Sequence, residues 1–165
     1  MAIIFWPFIM NLCHYLTQNN ILFVKDTSSK EVILSFLAAE LAKLNNLKNS
    51  KDLVQSILTR EQEGSTFLPT GIAIPHTRTP DVSEIALAMG VIPQGFKESP
   101  DSESTYLVTL FFSPIKDKEF GRHLKLLAKI SAIFRDPGFV KEIANLGDPS
   151  KIFTAIQQKE RDIEE

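Results

Sequence analysis

Residues 70–80 read TGIAIPHTRTP. Ile72, Ala73 and Ile74 form an unbroken apolar run, the composition of a strand covered on both faces of a sheet. Pro75 fixes φ near about −65° and carries no N–H, so pairing is expected to end there and His76 to point outward. In α/β proteins ligands gather at the carboxyl ends of strands, which makes His76 a candidate functional residue. Its structural alternative is a histidine that merely caps the strand edge. A strand of this kind needs helices above and below it.

The rest of the chain supplies them. Ile21–Val24 reads as a short buried strand, and Ser28 with Glu31 offers a capping box. The helix it opens is expected to run through about Leu44, with Val32, Ile33, Phe36, Leu37 and Leu41 on one face. A second helix carries Leu53, Val54, Ile57 and Leu58 at helical spacing and stops at Gly64. Strand-like runs follow at Gly71–Ile74, Ile85–Ile92 and Thr105–Phe112, with loops predicted at Pro93–Gly95 and across Lys97–Ser104. From Asp117 the pattern is helical, with a predicted apolar stripe of Phe120, Leu124, Leu127, Ile130 and Phe134. Pro137 and Pro149 stand where first helical positions belong, so two shorter helices are expected to close the chain. Helices, then strands, then helices predict an α/β protein, a three-layer α/β/α sandwich around a mixed sheet. Neither a dinucleotide G-x-G-x-x-G fingerprint nor a P-loop is present.

The bulk composition narrows the function classes. The chain has 165 residues, 44% hydrophobic and 23% charged, as in an ordinary globular domain. A formal net charge of −2 speaks against nucleic-acid binding, which needs clustered Lys and Arg. The single cysteine, Cys13, allows no internal disulfide framework, and the default compartment is the reducing cytoplasm. Residues 1–9 are almost wholly apolar but lack a basic leader, a cleavage site and the ~20 residues a spanning helix needs. They read as an N-terminal extension ahead of Met10, with no membrane insertion expected. Residues 10–160 then form one domain and residues 161–165 a polar tail. Mass spectrometry of the native N-terminal peptide would distinguish a start at Met10 from one at Met1.

Three histidines are available. His14 in the CHYL segment reads as structural or surface-exposed. His123 falls early in the third long helix, where a boundary histidine bonded to backbone is the plain reading. Arg60 lies late in the second helix, where an arginine commonly complements the helix dipole. No pair of histidines has H-x-x-x-H spacing and Cys13 has no partner, so no metal site is expected. Cys13 and His14 are adjacent in sequence and their side chains diverge, which disfavours a nucleophilic pair. A G-x-S-x-G elbow is absent.

Two longer segments join these pieces. Thr59–Arg78, TREQEGSTFLPTGIAIPHTR, resembles the signature of the EIIA domains of the bacterial phosphoenolpyruvate-dependent phosphotransferase system, in the fructose/mannitol class with its nitrogen-regulatory relatives. Phe111–Asp136, FFSPIKDKEFGRHLKLLAKISAIFRD, resembles the same family's second-histidine segment. The resemblance spans Asn11–Gln158. Arg60 stands sixteen residues before His76 and His123 forty-seven after it, both typical of the family.

The resemblance implies that His76 accepts a phosphoryl group, with Arg60 and His123 beside it and Ser65 and Thr66 in the phosphoryl-binding loop. It further implies no cofactor, an HPr-like phosphoryl donor, and an EIIB cysteine as acceptor during sugar uptake. The alternative output is that of a standalone nitrogen-branch regulator, whose histidine phosphorylation state controls binding to target proteins; the chain reaches Glu165 with no fused EIIB or EIIC segment. A degenerate domain that binds partners without phosphoryl transfer is the third class, disfavoured by the presence of His76, Arg60 and His123 together. Where family members carry a glycine-rich loop, this chain has Phe67-Leu68-Pro69-Thr70-Gly71, in which Pro69 removes a backbone donor.

Overall fold

A computed structural model describes residues 10–164; the predicted extension, residues 1–9, lies outside them. Five strands form one mixed sheet: β1 (Ile21–Phe23), β2 (Ile72–Ala73), β3 (His76–Thr79), β4 (Ala86–Phe96) and β5 (Thr105–Pro114). The order across the sheet is β1-β4-β5-β2, with β3 also on β5; β4 and β5 are antiparallel and the other pairs parallel. Helices α1 (Lys30–Leu44) and α2 (Ser50–Glu63) cover one face. The other face is covered by α3 (Phe120–Ile133), α4 (Pro137–Ala144) and α5 (Pro149–Glu164). The three-layer α/β/α sandwich predicted from the sequence is the fold.

Strand alternation divides the core. Leu87, Met89 and Val91 of β4 and Leu107 and Phe111 of β5 face α3–α5. Ala86, Ala88 and Ile92 of β4 and Val108, Leu110 and Phe112 of β5 face α1 and α2. The small residues at Ala86 and Ala88 let α1 approach, and Gly90 completes the series. A Cβ there would lie 2.8 Å from Leu37 Cδ1, a distance at which α1 would have to move away.

Several local expectations shift. The N-cap of α1 is Ser29, whose hydroxyl accepts from Val32 N, and not the predicted Ser28. Ser28 instead donates its N–H to Asp26. Pro93-Gln94-Gly95, predicted as a loop, stays within β4 because β1 pairs only with Met89–Val91, so Pro93 has no β1 partner to lose. The register shifts between Val91 and Phe96, and Gly95 takes φ 80°, the left-handed conformation the irregularity requires. Pairing likewise resumes beyond Pro75. Ile72 pairs with Leu107 and His76 with Phe111, the same offset, so β2 and β3 are one edge strand interrupted at Ile74–Pro75.

The predicted stripe on α3 is also corrected. Phe120 and Leu124 are 44% and 49% exposed, and the buried face is His123, Leu126, Ile130 and Ile133. The helix is rotated so that a histidine holds the first buried position. Pro137 and Pro149 do open α4 and α5, and α5 runs through Glu164, so residues 161–164 continue the helix.

A buried carboxylate ties the two ends of the domain together. Glu160 of α5 is 4% exposed and accepts from Leu12 N at 2.5 Å and Cys13 N at 3.2 Å, holding the 3-10 turn Leu12–His14. Glu160→Ala leaves both donors without their partner and is expected to cost about 2–3 kcal/mol. Urea unfolding of the two proteins measures this directly, and a change under about 0.5 kcal/mol would mean water replaces the carboxylate.

Candidate functional site

The site forms where the edge strand and β5 end together. Residues 72, 74, 76 and 78 share one face of that strand by period-two alternation. Ile72 and Ile74 enter the core, and His76 and Arg78 continue the row past its rim. On β5 the matching row ends in Phe111 and Ser113, which pair with His76 and Arg78.

His76 is half-buried and held on three sides. Its ring stacks on Phe111 with centroids 5.6 Å apart and planes 17° from parallel. Its Nδ1–H donates to the Ile74 carbonyl at 2.6 Å. That oxygen is available because Ile74 faces the outer edge of the strand, whereas the Pro75 carbonyl turns inward to accept from Phe111 N. Nδ1 is thereby fixed as the protonated nitrogen, and Nε2 keeps a free lone pair. Burial pushes the imidazole below its ordinary pKa of 6.5. The Ile74 bond opposes this, the Arg60 guanidinium depresses the ring further and the Glu61 carboxylate opposes it.

His123 reaches the same point from the first turn of α3, its ring centroid 5.3 Å from that of His76. It is 5% exposed and its Nδ1 is bonded to Ser113 Oγ at 2.5 Å. The partner is thus a side chain and not the backbone that the sequence suggested. Phe111 lies 5.2 Å away on one side, and Phe120 is stacked at 6.3 Å on another. Burial first, then His76 and then Arg78, push its pKa down to about 4, so the ring is neutral at physiological pH.

Arg60 comes from the C-terminal end of α2 and donates from Nη1 to Gly64 O at 3.3 Å. Ser65 and Thr66 stand in the loop that follows α2. Thr66 is buried and donates from both Oγ1 and N to Glu61, at 2.6 and 2.8 Å. Ser65 donates to Glu98 and accepts from Lys30. Lys30 in turn bridges Glu61 and Glu98 at 3.0 and 3.1 Å. Both hydroxyls are therefore engaged in an ionic network that holds the loop, and the structure brings neither into contact with His76. The loop reaches the edge strand through its backbone, with Thr66 O accepting from Ile74 N and Leu68 N donating to Ile72 O.

Ser113, Glu61, Phe111 and Arg78 went unassigned in the sequence. Only Arg78 left a legible signal there, through its period-two relation to His76. Burial, followed by Glu160, pushes the Cys13 thiol up to about 12, which disfavours the thiolate there. Among the described residues no cluster of three His, Cys, Asp or Glu is placed to hold a metal ion.

The family model for the phosphoenolpyruvate-dependent sugar phosphotransferase system, EIIA 2, matches residues 14–159.

The chain belongs to that EIIA family.

Among curated relatives of this EIIA chain, a nitrogen regulatory protein of Bradyrhizobium diazoefficiens is 30% identical over 130 residues, covering 78% of the chain and 83% of the relative. The fructose-specific EIIABC component of Bacillus subtilis is 27% identical over 92% of the chain. The chain spans only 24% of that multidomain protein's length. The nitrogen regulatory protein IIA-Ntr of Neisseria meningitidis superposes with a TM-score of 0.75 at 22% identity, covering 87% of this chain and 97% of its own. IIA mannitol of Escherichia coli, solved in complex with phosphorylated IIB mannitol, gives 0.72 at 18% identity over 87% of this chain and 97% of its own. Both likenesses establish the shared fold. Among the described residues no helix of this EIIA chain is long and apolar enough to cross a membrane.

Proposed function

We propose that this EIIA chain is a phosphocarrier whose His76 Nε2 accepts a phosphoryl group from the phosphohistidine of an HPr-like protein and passes it to a cysteine of an EIIB domain. The observation that carries the reading is the pairing of a tautomer-fixed, neutral His76 with a second neutral histidine at 5.3 Å. The lone pair of Nε2 attacks phosphorus in line, and the P–N bond to the donor imidazole breaks with its electron pair returning to that ring. As Nε2 bonds phosphorus the His76 ring gains positive character, which the Ile74 carbonyl stabilises through Nδ1–H. Ser113 donating its hydroxyl proton to His123 Nδ1 leaves the His123 proton on Nε2, a donor for the phosphoryl oxygens. Arg60, close enough to depress the His76 ring electrostatically, supplies a cation for the phosphoryl group. The roles of Ser65 and Thr66 are indirect: they anchor the loop whose Thr66 carbonyl holds Ile74.

The test incubates the chain with phosphoenolpyruvate, Enzyme I and HPr. Acid-labile, base-stable phosphate on the protein is the expected product, and its absence from wild type refutes the reading.

The 30% likeness to a nitrogen regulatory protein favours a second output for the same chemistry. Phosphorylation at His76 would then switch binding to target proteins in place of feeding sugar uptake. An adjacent EIIB/EIIC permease gene speaks for transport, and an isolated gene for regulation. Either output uses the chain in the cytoplasm, where HPr and Enzyme I operate.

A further inference from the structure

We propose that Arg78 is a positioning residue: it clamps the turn between β5 and α3, and so holds His123 against His76. Three contacts carry this. Arg78 Nη2 donates to two consecutive carbonyls of the turn, Ile115 O at 2.8 Å and Lys116 O at 3.2 Å. The guanidinium also lies 4.8 Å over the Phe120 ring, at the first position of α3. Phe120 in turn stacks on His123. The β3–β5 register sets Arg78 opposite Ser113, the residue that holds His123 Nδ1. Arg78 and Ser113 thus fix His123 from neighbouring strands, one through its turn and one through its ring.

The turn needs an external clamp. Residues 115–118 are exposed, and the N-terminal end of α3 has no side-chain cap: Glu119 makes no such bond, nor does Lys116 for the 3-10 turn Asp117–Glu119. Ile115 is 55% exposed and contributes little packing. A segment with so few buried contacts opens at little cost unless something outside it holds its backbone. Arg78 is that group. Both bonds come from one terminal nitrogen, Nη2, which the planar guanidinium holds in a fixed direction over the Phe120 ring, as a flexible ammonium does not.

Two variants separate this role from a general structural one. Arg78→Met removes the charge and both bonds; Arg78→Lys keeps the charge and loses the planar guanidinium. The titratable and charged groups acting on His123 are His76 and Arg78, both from β3. In Arg78→Met, NMR titration should therefore find the His123 pKa raised, by less than burial and His76 depress it. Amide exchange at residues 117–120 should accelerate at least about tenfold. In Arg78→Lys the titration should stay close to wild type while the exchange still accelerates. Unchanged exchange in a folded Arg78→Met overturns the clamp, whatever the titration does. Should that variant not fold, Arg78→Lys decides: exchange like wild type overturns the proposal and faster exchange supports it. The functional arm rests on the phosphocarrier reading, with transfer from phosphorylated protein to an EIIB domain expected to slow about tenfold in Arg78→Met. If wild type takes up no phosphate, that reading fails alone, because titration and exchange still judge the clamp.

Discussion

His76→Ala is expected to take up no phosphate from phosphoenolpyruvate, Enzyme I and HPr, while wild type labels to completion. The substitution removes the only group at the site that can act as a nucleophile. His123 is 5% exposed and its Nδ1 is engaged by Ser113, so it is poorly placed to attack phosphorus. The loss should therefore exceed about a thousandfold in initial rate, more than removal of a supporting donor causes. Half-burial of His76 at the surface end of its strand keeps the structural cost of the change small, and circular dichroism of the variant checks that. Labelling equal to wild type would place the phosphate elsewhere.

The same nucleophile sets the pH dependence of loading. Nε2 attacks only when the ring is neutral, and the folded site holds His76 below the ordinary value of 6.5. Protonation then sets in at lower pH than for a free imidazole. The loading rate should decline with its midpoint below pH 6.5, at lower pH than a free imidazole would give. A decline centred above 6.5 would mean that Glu61 and the Ile74 bond outweigh burial and Arg60.

His123→Ala is expected to load phosphate but to pass it to an EIIB cysteine about a hundredfold more slowly. The two steps differ in charge. Loading exchanges one imidazole for another, and both nucleophile and leaving group are neutral rings. Onward transfer brings a thiolate against a phosphoryl group already carrying about two negative charges, so neutralisation by a nearby N–H matters more there. His123 is the group placed to provide it, 5.3 Å from His76 between ring centroids. The substitution also leaves the buried Ser113 hydroxyl without its partner, at a cost of about 1–3 kcal/mol. His123→Phe keeps the ring volume and serves as the control for packing. Rapid-quench transfer from labelled protein to EIIB separates the steps. Complete loss of labelling in His123→Ala would give the second histidine a different role.

How much of this was legible beforehand varies by element. α2 could be read to its last residue, because its apolar spacing and its stop at Gly64 are local signals. α4 and α5 began at their prolines for the same reason. Pro75 misled in one respect. Its missing N–H predicts an end to pairing, but its carbonyl still accepts from Phe111 N of β5, and the register carries through. The stripe on α3 was assigned one position out of phase, since Phe120 and Leu124 look like core residues and His123 does not. Which face is buried depended on Ser113, a residue ten positions away that makes the imidazole's burial tolerable.

The amino-acid sequence by itself determined the layers and a buried strand through Ile74, which follow from hydrophobic period and from proline and glycine stereochemistry. The identity of the three residues proposed for the chemistry came from the resemblance of Thr59–Arg78 and Phe111–Asp136 to the EIIA family. Only the tertiary structure decided which nitrogen of His76 is free, that Thr66 and Ser65 serve a loop-holding ionic network, and that Arg78 belongs to the His123 side of the site. Each of those depends on a hydrogen bond or ring contact whose partner is set by strand register and helix rotation. The Arg78 contacts reach thirty-seven and thirty-eight residues along the chain, a separation over which no local propensity carries information.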